Sequence, residues 1–512
     1  MDKIRKRITK SKLARATGPI WVLLLSLLLG ITASWLIKDG VALLVLNGKS
    51  FNNRSFFVQT CIVVFLVVFT SVSFFLILSI FDSSYSGNEK LQSVKKIVFN
   101  SLNKETKIRD IAAIILIGFS VSVFFHYFMG LYLNLPYPYN TFLFSPNDKF
   151  ADFFILYDTM QYRQPYIGNH LSAQFPFLNL ICYGFRILPR VDSLIVYTLL
   201  FLCAFITFTV LYTYAGDYKK HISELFIISL LSYPILFTID RGNLESLLLI
   251  SLLAFVYFYQ KKKYLLSVAF LSFAIAMKLF PVVFLVIYLS DKKYKEVFLA
   301  GLFTGLLTFF SLLFFKGGFL ENLTLLVSGA NLVPLNRFLG TDLIVQRGVS
   351  LFTLIKIFFI ETNLLQKVDM VKFLGIYVKT AIIVFLFIAA YVVFWEKDFW
   401  KKNAILVIAM LLLPQVSADY KLIHIFVPLF LFINAPRPDR LDWIYISLFG
   451  LLLIPKDYYL LSRVISDAGV ADISISVIIN YIALITMLLL IIGTGLKNRI
   501  SPEKEAAALD AS

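Results

Sequence analysis

The sequence predicts an all-α polytopic membrane protein with about fourteen transmembrane helices and helical external loops. Three observations carry this. Of 512 residues, 59% are hydrophobic and 15% charged, with a mean hydropathy of +0.81, more apolar matter than one or two soluble cores can hide from water. Apolar runs near the roughly 20 residues of a spanning helix recur along the chain, among them 20–37, 56–81, 111–133, 376–395 and 473–492. The net charge of +17 is split into short clusters between those runs, which is the pattern of topology signals; a soluble basic face for nucleic acid is excluded.

Met1 to Arg15 carries Lys3, Arg5, Lys6, Arg7, Lys10, Lys12 and Arg15 ahead of a long apolar run, which reads as a retained signal anchor with a cytoplasmic N-terminus. Later basic clusters at 90–109, Lys219 with Lys220, 261–263, 292–295, 397–402, Arg437 with Arg440, and Lys497 with Arg499 should each return to the cytoplasm, so an even number of crossings separates each pair. Helices near 19–37, 55–81, 110–133, 193–214, 225–239, 244–259, 264–277, 280–290, 297–315, 374–395, 403–417, 421–435, 442–460 and 473–495 meet that condition. Three regions follow: 1–109, an N-terminal basic anchor with an additional hairpin and cytoplasmic loop; 110–435, the membrane core; and 436–512, a C-terminal hairpin with a short tail.

The two longest connections on the non-cytoplasmic side are then 134–192 and 316–372. Their apolar pieces 175–188 and 351–360 are too short to cross twice and should lie in the interface or dip into it. Tyr137, Tyr139, Tyr157, Tyr162 and Tyr166 crowd the first loop at the depth where amphipathic rings settle. The stretch 264–290 must leave and return in so few residues that each arm falls short of the roughly 30 Å hydrocarbon core. It should turn inside the membrane at Met277-Lys278-Leu279-Phe280-Pro281.

An ion at that depth is a functional candidate by default. Lys278 either snorkels to the headgroups or contacts a lipid phosphate. In Asp240-Arg241-Gly242-Asn243-Leu244-Glu245 a glycine permits a tight reversal and the next helix offers its unpaired N–H groups to an anion; Arg241 would bind phosphate there, unless the turn's charges pair with one another. Asp148, Asp152 and Asp158 in the first loop offer a carboxylate that can take a proton from an acceptor hydroxyl, against the plainer reading of solvated surface charge. One base suffices when the leaving group is a phosphate, whereas a glycosidase needs two carboxylates. Asp419, Lys421 and His424 should converge at one helix end, as substrate contacts or as a local ion pair. Cys61, Cys182 and Cys203 sit in or near apolar runs and read as small core residues, and the four scattered histidines have no metal-ligand spacing. No Gly-rich nucleotide loop occurs, so no cofactor is expected and a sugar donor would be a lipid.

FADFFILYDTM (150–160), QPYIGNH (164–170) and FPFLNLICYGFRILP (175–189) resemble the first external loop of glycosyltransferase family 87, a branch of the C-type superfamily of integral-membrane glycosyltransferases. Residues 240–296 resemble the family's middle section with its lysine-proline hairpin, and VQRGVSLFTLIKIFF (345–359) and LLPQVSADYKLIHIFVPL (412–429) are similar to its later motifs. The similarity runs over roughly 110–435. It implies the C-type architecture and inverting transfer of a hexose or pentose, often mannose, from a polyprenyl-phosphate sugar to a lipid-linked or glycan acceptor. It further implies Asp152 as general base with Asp148 and Asp158 in reserve, and Arg241, Lys278 and Lys421 on the donor phosphate; Asn243, Glu245, Asp419 and His424 are candidate substrate contacts from their place in the sequence. The expected setting is a bacterial plasma membrane with the active site on the outer face, and the partners are the donor, the acceptor and membrane lipids. Here the aspartate follows the third helix instead of the first, Asn243 stands where relatives often have glutamine, and the adjacent acidic pair of protein O-mannosyltransferases is missing. A flippase of lipid-linked sugars or an envelope glycan polymerase are the competing classes.

Overall fold

The computed structural model describes residues 104–166, 174–213, 222–338, 347–362, 364, 367–435, 441–464 and 470–500. The expected helices at 19–37 and 55–81 and the tail lie outside the described residues. In chain order the helices are α1 (Lys104–Tyr127), α2 (Ala151–Thr159), α3 (Pro176–Phe185), α4 (Arg190–Thr213), α5 (Ile222–Phe226), α6 (Tyr233–Arg241), α7 (Glu245–Gln260), α8 (Tyr264–Met277), α9 (Leu285–Ser290), α10 (Tyr294–Phe314), α11 (Gly318–Phe338), α12 (Leu351–Glu361), α13 (Met370–Phe394), α14 (Phe399–Leu412), α15 (Phe426–Ile433) and α16 (Asp442–Leu453). A short antiparallel hairpin, β1 (Tyr459–Val464) with β2 (Val470–Ser474), precedes α17 (Ile475–Ile500).

Among the described residues five helices are long and apolar enough to cross a membrane: Lys104–Tyr132, Arg190–Thr213, Tyr294–Phe314, Met370–Phe394 and Ile475–Leu496. A sixth counts if Ile222–Leu231 and Tyr233–Arg241, bent by 48°, form one span. The bend has a local cause. Ser232 is extended and Pro234 occupies the first turn of α6, so the ladder loses a donor and cannot run on. At the positions of the other expected spans among the described residues the helices are shorter than a straight crossing needs. α8, with 14 residues, reaches only about 21 Å at 1.5 Å per residue. It ends as expected at Lys278, whose backbone is extended, and a 3-10 turn over Phe280–Phe284 leads into α9.

The described residues form two compact units, one holding 104–142, 441–464 and 470–478, the other the described residues of 143–435 and 479–500. In the first, α1 packs on α16 through glycines: a side chain on Gly450 would meet Ile114 at 2.6 Å. Lys107 and Asp442 pair at 2.9 Å with both side chains buried. His126 hydrogen-bonds the Tyr139 carbonyl at 2.7 Å and its ring stacks on Tyr458.

In the second unit the contacts at helix ends sort into two sets. At the basic ends Lys402 donates to Ser290 at 3.0 Å, Tyr259 stacks on Phe399, Lys293 lies over Tyr264, and Asn434 donates to the Tyr212 carbonyl at 2.6 Å. At the opposite ends Lys316 N–H donates to the Arg163 carbonyl at 3.0 Å and Val349 N–H to the Ser417 carbonyl at 2.8 Å. Two expectations are corrected here. Tyr157 and Tyr166 are buried inside protein, Tyr157 donating to the Leu188 carbonyl and Tyr166 accepting from Asn179, because a phenol that finds an internal partner need not seek the headgroups. The connection 316–372 also holds the 21-residue α11, concealed in sequence by Gly329 and Pro334, besides the expected α12.

Candidate functional site

The segment 143–153 is laid onto the turn between α6 and α7 by hydrogen bonds to Asp240. Phe144 N–H donates to its Oδ2 at 3.1 Å, Lys149 Nζ pairs with Oδ1 at 2.8 Å, and Phe150 N–H donates to its carbonyl at 2.8 Å. Phe150 is left-handed and starts α2, which puts Asp152 in the first turn. Gly242 caps α6 at φ +61°, a conformation that glycine adopts without strain. A side chain there would also strike Phe153 Cβ at 2.8 Å.

Asp152 thereby meets the residues on either side of that glycine. Arg241 Nη2 pairs with Oδ1, and Asn243 Nδ2 donates to Oδ2 at 2.6 Å. The Arg241 guanidinium also donates to the Asp148 carbonyl at 3.3 Å and lies 4.2 Å from the centre of the Phe144 ring, a cation–π contact. The Asp152 side chain keeps 23% of its surface exposed.

Glu245, first residue of α7, is fully buried. Its Oε1 takes Lys278 Nζ at 2.7 Å and its Oε2 takes the His424 Nε2–H at 2.8 Å. Lys278 therefore does not snorkel; it is paired. Lys421 donates to the Val416 carbonyl at 3.0 Å and stands 4.5 Å from the Phe280 ring centre, with no carboxylate within ion-pair distance among the described residues. It remains in the field of Glu245 and Lys278. The Tyr420 phenol lies within Coulomb range of Asp152, Glu245 and Arg241, which links the two pairs.

The expected convergence of Asp419 with Lys421 and His424 is half realised. Residues 419–425 wind as a 3-10 helix, in which i and i+3 share a face. Lys421 and His424 therefore both lie toward Glu245. Asp419 is turned to other partners, the Tyr233 hydroxyl at 3.2 Å and Asn480 Nδ2 at 3.3 Å. The reserve carboxylates are not brought in either: the Asp148 side chain is exposed, and Asp158 pairs with Arg190 at the surface.

Arg347 was not singled out from sequence. It is buried, donates to the Leu143 carbonyl at 2.8 Å and lies over both Phe144 and Phe237, so Phe144 touches two guanidinium groups. A lone arginine bordering an apolar helix, as in Gln346-Arg347-Gly348, was the available signal.

Residues 176–414 match the family model of glycosyltransferase family 87. The chain carries a glycosyltransferase family 87 domain. No curated protein matches the chain. The family 87 match, narrower than the 110–435 read from sequence, implies a glycosyltransferase, and the apolar helices fit an integral membrane protein. Arg241, Asn243, Glu245 and Lys278 lie inside the family 87 domain, while Asp152, Lys421 and His424 reach it from outside.

Proposed function

We propose that the protein transfers a hexose or pentose, mannose in the first instance, from a polyprenyl-phosphate sugar to a lipid-linked or glycan acceptor, with inversion, on the non-cytoplasmic face of a bacterial plasma membrane. The observation that carries this reading is the oriented, partly exposed Asp152 carboxylate beside a buried group with more cations than carboxylates. Asp152 and Glu245 stand against Arg241, Lys278 and Lys421, so an anion is needed to complete the site.

Asp152 takes the proton of the acceptor hydroxyl as its oxygen attacks the anomeric carbon; the bond to the phosphate oxygen breaks on the opposite side, and polyprenyl phosphate departs as an anion needing no acid. Lys421 and Lys278 lie where the departing phosphate gains charge, which is where cations lower the barrier most. Arg241 holds the base and directs its remaining N–H groups to the same phosphate.

Sidedness is supported by the sorting of helix-end contacts. Each pair named above joins ends that the charge pattern assigns to one side; the C-type arrangement with about fourteen crossings is part of the proposal and rests on the family resemblance.

The test is transfer by purified protein in detergent against a panel of polyprenyl-phosphate sugars. Asp152→Asn, which keeps the shape and loses the base, should reduce kcat by about 10³-fold or more. Wild-type turnover in that variant removes Asp152 from the role. Turnover with no polyprenyl-phosphate sugar, but with a diphosphate-linked oligosaccharide, moves the protein to the polymerase class.

A further inference from the structure

We infer that Asn243 is the positioning residue of the base, a one-amide tether that fixes Asp152 to the N-terminus of α7. The inference rests on the reading of Asp152 as base, and it assigns Asn243 to the carboxylate instead of to the substrate.

The geometry leaves the amide a single orientation. Glu245 N–H donates to Asn243 Oδ1 at 3.0 Å, and an N–H can only be received by the amide oxygen. The NH2 end must then face Asp152, whose Oδ2 accepts from it at 2.6 Å. The backbone of Asn243 is held as firmly: its carbonyl accepts from the buried Tyr197 hydroxyl at 2.6 Å, and its N–H donates to the Thr238 carbonyl at 3.0 Å. The residue is itself buried. Asp152 sits on a segment that reaches this turn from far away in sequence, so its two oxygens take their direction from Arg241 on one side and Asn243 on the other.

The same amide receives the first N–H of α7, and that cap-like bond alone would be a structural role. Asn243→Asp separates the two. Aspartate caps a helix as well as asparagine does, so its Oδ1 keeps the Glu245 N–H and the thermal midpoint should stay near wild type. Its second oxygen, however, replaces the NH2 and confronts Asp152 Oδ2 at hydrogen-bond distance. Two carboxylates so placed share a proton. The acid limb of the pH profile of kcat should then move up by at least about one pH unit, with turnover lost at pH values below the displaced limb and recovered above it. KM for the donor should be unchanged.

A wild-type pH profile and rate in Asn243→Asp overturn the proposal, and Asn243 is then a cap only. If Asn243→Asp lowers the midpoint sharply, Asn243→Ser decides: it keeps a cap oxygen and cannot reach Asp152, so reduced kcat is expected with an upward move of the acid limb smaller than in Asn243→Asp, and a wild-type kcat overturns the tether. Asp152→Asn is assayed beside these. An active Asp152→Asn means that the base reading has failed; an inactive Asp152→Asn with an unaffected Asn243→Asp means that only the tether has.

Discussion

Replacing Gly242 by alanine tests how closely the site depends on one missing side chain. Gly242 separates Arg241 from Asn243, the two residues that hold Asp152. An added Cβ would lie 2.8 Å from Phe153 Cβ and 3.3 Å from Phe150 Cα, whereas carbon atoms rest at about 3.5–4.0 Å. The shortfall is about 1 Å. Neither neighbour is the free end of a side chain, so α2 and the turn must part by nearly that amount. The backbone adds its own cost of about 1–2 kcal/mol for a left-handed residue with a side chain. A displacement of about 1 Å at a reacting group can cost about 10²-fold in rate, and Asp152 is the neighbour of Phe153. The expected result for Gly242→Ala in the detergent assay is kcat lowered by about 10²-fold, with KM for the donor nearly unchanged and a modest fall in the thermal midpoint. Gly184→Ala is the control, since nothing lies within 4 Å of a side chain placed there. Turnover of Gly242→Ala within twofold of wild type would refute the reasoning, because the carboxylate would then tolerate a shift that the geometry says it cannot avoid.

Two further outcomes follow from the ion pairs. Glu245→Gln leaves Lys278 and His424 without their common carboxylate and should destabilise by about 3–5 kcal/mol; combined with Lys278→Met the loss should be less than the sum of the single losses, as read by thermal unfolding in detergent, and simple additivity would mean that the pair is not coupled. Asp158→Asn should leave turnover unchanged and cost no more than about 1 kcal/mol, since its partner Arg190 is about half exposed; loss of turnover there would transfer the base role to Asp158.

The helices were legible in sequence because lipid imposes a simple rule: apolar runs of sufficient length, bounded by basic clusters. The helix break at Lys278 was legible too, as Pro281 marked it. α11 was not, since a helix at this position carries Gly329, Asn331 and Pro334, residues that argue locally for a loop. Site residues were legible as chemical types and not as partners. Arg241 was read as a phosphate ligand or as one half of a pair within its own turn; its actual partner, Asp152, is separated from it by the whole of α2 to α6, and no local pattern carries that distance. Lys278 was likewise read through its surroundings, when the deciding feature was Glu245 on the next helix of the bundle. The split of Asp419 from Lys421 and His424 required knowing that residues 419–425 wind with three residues per turn.

The choice among carboxylates is where the structure adds most to the sequence. A base must be fixed in direction, and it must also be reachable by the hydroxyl it serves. Glu245 and Asp419 are fully buried with both oxygens occupied, and Asp240 is spent on holding the 143–150 segment. Asp148 and Asp158 fail in the other direction, being open to solvent. Asp152 alone among these six is held from both sides and still partly exposed. The turn that holds it lies within the residues matched to family 87 and the carboxylate does not, so on the proposed reading the matched residues supply the orientation and the preceding segment supplies the base. Any reading that places the base elsewhere must explain why a glycine, an arginine and an asparagine in succession are shaped around a carboxylate that does nothing.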